Sequence, residues 1–381
     1  MIYLDNSATT NHKPLCVKFQ VLKSITKKYC SNPHRSGNKL NNFLASIIFK
    51  TREKLAQFVY CENLENVIFT SGATEALNLA ILGTAKIGGH VITTAYEHNA
   101  TLRPLFELKN KGIIDLTIIE PEPNGSISLE KIKKAIKSNT YLITCIHTSN
   151  VTGYTNHLEE IGKLCKEKNI LFLSDCAQSA GHEKLNMQKN NIDMLAIAGH
   201  KGFYALTGVG ALVISDKAKK ILQPIKFGGT GTHSDSPIQP HDFPEGFESG
   251  TCNTTGILSL YKGIDFINKN QEKINKKVTL LTKTLMDELK KIKGLKFYPI
   301  NNYNSGIVSF NIKDFSSNDV SNFLNSKYDI CIRSGLHCAP LVHKHFGTQK
   351  VGMIRVSISY FNTKKNISTF VKAIKEFVNN N

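Results

Sequence analysis

Two short segments bring a carboxylate and an amine into the same frame: Asp175-Cys176-Ala177-Gln178 and Gly199-His200-Lys201-Gly202. Each follows a short apolar run, Ile170 to Leu173 and Met194 to Ile197, that reads as a buried strand. If those strands share one sheet, Asp175 and Lys201 arrive at the same edge. A buried carboxylate beside a pyridine nitrogen keeps that nitrogen protonated, because the opposite charge favours the charged form, and the protonated ring becomes an electron sink. A lysine in the same pocket can form the Schiff base that activates an amino acid. Alone, the aspartate fits a helix cap and the lysine an exposed side chain. The pair on adjacent strand ends is what points to chemistry.

Two more segments fall at such ends. Ser71-Gly72-Ala73-Thr74-Glu75-Ala76 joins a run ending at Thr70 to an apolar helix. Its small residues let backbone N–H groups and the Thr74 hydroxyl face a phosphate at the positive helix end. An ordinary helix cap accounts for the same residues equally well. Tyr96-Glu97-His98-Asn99 follows His90 to Thr93. It places an imidazole where it can lie flat over an aromatic cofactor or simply cap a helix.

The elements that must position these groups alternate along the chain. Between Val67 and Val213, the runs Val67 to Thr70, His90 to Thr93, Leu116 to Ile119, Tyr141 to Thr144, Ile170 to Leu173 and Met194 to Ile197 are separated by amphipathic stretches long enough for crossover helices. That alternation predicts an α/β fold with a doubly wound, mainly parallel sheet, whose ligands sit at the carboxyl ends of the strands. After Thr254 the pattern changes to a long helix through Lys291, short strands near Lys296, Ile307 and Ile354, and a closing helix from Asn366. This reads as a smaller α+β C-terminal domain. The expected division is 1–255 for the large domain, its first residues packing on the small one, and 256–381 for the connecting helix and small domain, since 381 residues exceed one ordinary core.

In order along the chain, Leu4-Asp5-Asn6-Ser7-Ala8-Thr9-Thr10, Ser71 to Ala76, Glu97-His98-Asn99, His147-Thr148-Ser149-Asn150-Val151-Thr152-Gly153, Asp175 to Gln178, Gly199-His200-Lys201, Gly250-Thr251-Cys252-Asn253-Thr254, Arg333-Ser334-Gly335-Leu336-His337-Cys338-Ala339-Pro340-Leu341 and Arg355-Val356-Ser357 resemble cysteine desulfurases. These are class V aminotransferase relatives with the aspartate-aminotransferase fold, pyridoxal-phosphate fold type I, and the resemblance covers essentially the whole chain. It implies pyridoxal 5'-phosphate as cofactor, held covalently by Lys201, with Asp175 on the ring nitrogen, His98 stacked on the ring, and Asn150 and Gln178 on the ring oxygen. Ala73, Thr74 and His200 would hold the phosphate, with Thr251 reaching across from a second subunit, so a homodimer is expected. Arg355 would grip the carboxylate of L-cysteine in a fork that lysine cannot match. Asn150, Arg333 and His34 would line the substrate end. Cys338, between Arg333, His337 and the loop markers Gly335 and Pro340, is expected to be an accessible thiol in electropositive surroundings that receives the sulfur as a persulfide. Cys331, in an apolar run, is expected to be core.

The chain departs from the family in two places. Relatives usually carry a hydroxyl residue where this chain has Ala198, and Gly-Pro where it reads Ala205-Leu206 after Tyr204. The first departure removes a phosphate contact. The short Cys338 stretch resembles the second group of these enzymes, which pass sulfur to a dedicated acceptor protein. A selenocysteine lyase shares the same cofactor site and is the alternative within the family. A cofactor-binding or nucleic-acid-binding protein without turnover is the alternative outside it, on the strength of 48 Lys+Arg against 30 Asp+Glu, a net charge of +18. The basic residues are scattered in singles and pairs, as on solvated helix faces, so nucleic acid is not the expected partner. The nine cysteines are dispersed without a Cys-x-x-Cys pair, which argues against a disulfide framework or a metal site. The start of the chain lacks the pattern of a secretory signal and no apolar run is long enough to span a bilayer, so the expected address is cytoplasmic, without a membrane.

Overall fold

The computed structural model describes residues 1–33 and 37–380. Its centre is a seven-stranded sheet in the spatial order Val67–Thr70, Gly210–Ile214, Met194–Ala198, Leu171–Asp175, Thr140–Thr144, Gly89–Thr94, Ile114–Ile119. All the expected runs are strands of this one sheet. Gly210–Ile214 runs antiparallel to both neighbours, Val67–Thr70 and Met194–Ala198, and the remaining pairs are parallel. The period of two along each strand sends successive side chains to opposite faces. Val67, Phe69, Leu195, Ile197, Ala211 and Val213 enter one core with the helices Lys39–Val59 and Leu158–Glu167. Ile68, Met194, Ala196, Leu212 and Ile214 enter another, with Ala73–Gly83 and Asn99–Asn110. Burial on both faces is why these strands read as continuous apolar runs.

The helix Thr254–Leu289 has 36 residues, with Asn253 as its N-cap accepting from Gly256 N–H. Its first half contributes Ile257, Leu260, Ile264 and Ile267 to a face of the large sheet. Its last turns give Leu281, Leu285 and Leu289 to a separate core. That second core lies under an antiparallel sheet of Leu295–Phe297, Ile307–Ile312 and Ile354–Ser357 and is closed by the helix Lys364–Asn380. Leu4 packs into it as well. The chain start, Ile2–Tyr3, pairs with Ile330–Cys331. Here one expectation fails. Cys331 is half-buried at this edge, and its neighbour Ile330 fills the core, because the period of two leaves only alternate residues facing inward. All nine cysteines are free thiols, and only Cys145, Cys165 and Cys176 are buried. No described helix is long and apolar enough to cross a membrane.

Candidate active site

The sheet delivers the expected residues to one edge. Asp175 is the last residue of its strand and pairs with Ala196, two residues before the strand ends at Ala198. Thr70 and Ala198 both face Gly210 across the antiparallel strand, so the segments starting at Ser71 and at Gly199 emerge side by side. Gly210 must lack a side chain: a Cβ there would lie 2.6 Å from the Gly72 Cα. The helix Ala73–Gly83 therefore begins against the sheet edge, with no side chain capping its first N–H groups. Past Lys201 the chain is pressed onto its neighbour. A Cβ on Gly202 would stand 1.9 Å from the Ala180 carbonyl oxygen, so only glycine lets the lysine turn sit there.

A cavity of about 200 Å³ is lined by Ala73, Thr74, His98, Asn150, Asp175, Gln178, His200 and Lys201. Burial pushes the Lys201 amine down to about 8, helped by Arg355, while Asp175 partly opposes the shift. Burial likewise raises the Asp175 carboxyl, against the Ala177 N–H bond of 2.8 Å and the pull of Lys201. Burial and the charge of Lys201 hold His98 and His200 down at about 4, so both imidazoles are neutral near pH 7. His98 both lines the cavity and caps a helix: its Nδ1 accepts from Ala100 N–H at 3.0 Å, which leaves the ring hydrogen on Nε2. Asn150 Nδ2 donates to the His337 carbonyl at 2.7 Å and Gln178 Nε2 to the Ser7 carbonyl at 3.0 Å. Each amide keeps a second N–H.

Arg355 is 3% exposed and donates from Nη1 to the Asn150 carbonyl at 2.8 Å and from Nη2 to Asp5 at 2.6 Å. Arg333 bridges it through the backbone. Cys338 is exposed and lines a groove of about 470 Å³ that shares Thr74, His98 and Ala100 with the Lys201 cavity. His337 and Cys338 both have positive φ, 52° and 57°, and the Cys338 carbonyl accepts from Asn99 N–H at 2.7 Å. His337 adds no charge to the thiol's surroundings. It is 4% exposed, stacked on His343, and burial holds it well below the ordinary imidazole range. Thr251 is exposed and lines an adjoining cavity with Ser71 and Gly208, so within one chain it does not reach the Lys201 cavity. His34 lies outside the described residues.

Sequence reasoning assigned no role to several residues gathered here. Glu97 is fully buried behind His98; burial raises its carboxyl to about 8 while Thr94 Oγ1 and Ile146 N–H donate to it. The His200 carbonyl receives the Thr10 N–H, the Thr10 hydroxyl and the Lys13 amine at 3.1, 3.0 and 3.3 Å. The signal available for these was their place inside quoted motifs or just beyond them.

The donor set fits a phosphorylated pyridine. An acid, an amine and neutral imidazoles surround one cavity, an uncapped helix start faces it, and the buried atoms Asn150 Oδ1, His200 Nδ1 and Arg355 Nε have no protein partner. Ala198 lines the cavity without a hydroxyl, while Thr207 lines it too. Among the described residues no cluster of His, Cys, Asp or Glu could hold a metal ion. A second cavity of about 360 Å³, against Asn66, Asp193 and Lys217, lies at the opposite sheet edge and contains none of these groups.

Residues 2–370 match the model of the aminotransferase class-V family. A probable cysteine desulfurase of Pyrococcus abyssi is 33% identical over 99% of this chain and 94% of its own length. One from Methanothermobacter thermautotrophicus is 32% identical over 98% and 94%. The apo structure of a cysteine desulfurase from Thermococcus onnurineus superposes with a TM-score of 0.92 at 32% identity, covering 100% of this chain and 95% of that one. Matched by the family model over nearly its whole length and by relatives more than 30% identical across 98–99% of it, the chain belongs to the aminotransferase class-V family.

Proposed function

We propose that this chain is a cysteine desulfurase, which takes sulfur from L-cysteine onto Cys338 and releases L-alanine with the help of pyridoxal 5'-phosphate. The observation that carries this reading is that the Lys201 cavity and the groove of the exposed Cys338 thiol are adjacent, with Thr74, His98 and Ala100 lining both. Lys201 would hold the cofactor, Asp175 and His98 its ring, Asn150 and Gln178 its ring oxygen, and Ala73, Thr74 and His200 its phosphate. When bound, the cofactor withdraws electrons from the amino acid's α carbon. Lys201, with its amine near 8, is suited to taking and returning a proton at the substrate's carbons near neutral pH. Arg355 would orient the carboxylate, with Arg333 beside it. The Cys338 thiolate attacks the substrate sulfur: an S–S bond forms, the C–S bond breaks with its electron pair left on carbon, and a proton on that carbon completes alanine. An exposed thiol with positive φ on a loop end also suits onward transfer to an acceptor protein.

The test is to incubate the purified holoenzyme with L-cysteine and measure alanine together with added sulfur mass on Cys338. Alanine without persulfide on that residue, or neither product, overturns the reading.

A further inference from the structure

We propose that Asp5 is a positioning residue for the substrate carboxylate, holding the Arg355 guanidinium at a fixed angle and remaining on it when the amino acid binds. The inference rests on the reading of Arg355 as the carboxylate-binding residue. Arg355 lies in the strand Ile354–Ser357, far from the chain start in sequence, yet its Nη2 meets Asp5 Oδ1 at 2.6 Å. The backbone that carries Asp5 is held in place. It is bridged to Ser357 through the backbone, and the residues flanking it bond there too: Ser357 N–H donates to the Leu4 carbonyl at 2.7 Å, and Asn6 Nδ2 donates to the Ser357 carbonyl at 2.9 Å. On a backbone so pinned, the carboxylate stays within reach of Nη2 and serves as a bracket rather than a lid.

The second fixed acceptor is the Asn150 carbonyl on Nη1 at 2.8 Å. Two anchored N–H groups on different nitrogens set the plane of the guanidinium, and three of its five donors remain, including Nε, which has no protein partner. A carboxylate arriving at those donors meets a pre-oriented fork and loses little freedom in ordering it. Asp5 also offsets a buried charge that stands close to a second cation, Arg333. Without it, Arg355 keeps one anchor and repels its neighbour.

The expected result for Asp5→Ala is a KM for L-cysteine about tenfold higher, with kcat within about threefold, because carboxylate binding is common to ground and transition states. Asp5→Asn, which keeps an acceptor but not the charge, should raise KM about threefold. Calorimetric titration of L-alanine into the holoenzyme should weaken in the same order. In an Arg355→Gln background, Asp5→Ala should change neither quantity by more than about twofold, since the partner it positions is gone. Should Asp5→Ala fail to fold, Asp5→Asn carries the same test. A KM and an L-alanine affinity that stay at wild-type values, or a KM that falls, overturn the proposal. A wild-type enzyme that forms no alanine from L-cysteine instead overturns the desulfurase reading, and the L-alanine titration still decides the role of Asp5.

Discussion

The amine of Lys201 sits where water is scarce and a guanidinium is near, so it gives up its proton at about pH 8, well below the range of an exposed lysine. The sign follows from burial penalising the charged form. Well below pH 8 the amine is protonated and unreactive toward an aldehyde, at about pH 8 half of it is free base, and well above pH 8 the free base predominates. Uptake of pyridoxal 5'-phosphate by the apoprotein should therefore accelerate about tenfold per pH unit up to about 8 and then level off. Stopped-flow absorbance reads this directly, and a rise continuing to pH 10 would contradict it. Cys338 makes a separate prediction at the same scale. Cys338→Ala should take up cofactor normally yet form alanine from L-cysteine at least about a hundredfold more slowly, because the attacking thiolate is gone. Undiminished desulfuration by that variant refutes the persulfide route. Selenide release from selenocysteine, measured beside it, separates the two substrates.

Among the elements, the loop leading to Thr251 is tied down by one ion pair. Arg52, in the helix Lys39–Val59, holds Glu248 through both guanidinium ends at 2.8 and 2.9 Å, and Phe69 N–H donates to the same carboxylate at 2.6 Å. The two side chains are 8% and 7% exposed, and the guanidinium also lies over the Phe69 ring. Removing one partner strands the other's charge in the interior. Glu248→Ala is expected to cost about 3–5 kcal/mol in urea unfolding, and a joint replacement of both residues by apolar ones of similar volume considerably less. Equal costs for the single and the joint change would show that packing, not charge, holds the loop.

At the scale of the molecule, the helix Leu15–Ser24 and the residue after it leave Leu15, Phe19, Leu22 and Ile25 between 60% and 69% exposed at helical spacing, an apolar stripe of the kind that partner surfaces cover. Thr251 is exposed outside the Lys201 cavity, and the role expected of it is in the site of a second copy. A homodimer by sedimentation is the expected outcome. Thr251→Ala and Lys201→Ala, each impaired alone, should recover about a quarter of wild-type activity when co-expressed in equal amounts, because half the dimers are mixed and each mixed dimer has one intact site. No recovery would confine Thr251 to its own chain.

What the sequence determined by itself was local or repetitive. Apolar runs at strand spacing specified the sheet because both its faces are buried, and Asp175 and Lys201 were legible because each stands within a few residues of such a run. Ordered motifs added the family. What tertiary structure alone decided was pairing between distant segments. The antiparallel insertion of Gly210–Ile214 leaves no mark in a buried strand's composition. The neutrality of His337 depends on neighbours that exclude water, not on its sequence position beside Cys338. The contacts of Asp5 with Arg355 and of Thr10 and Lys13 with the His200 carbonyl join residues that share no periodicity, so only the folded backbone could bring them together.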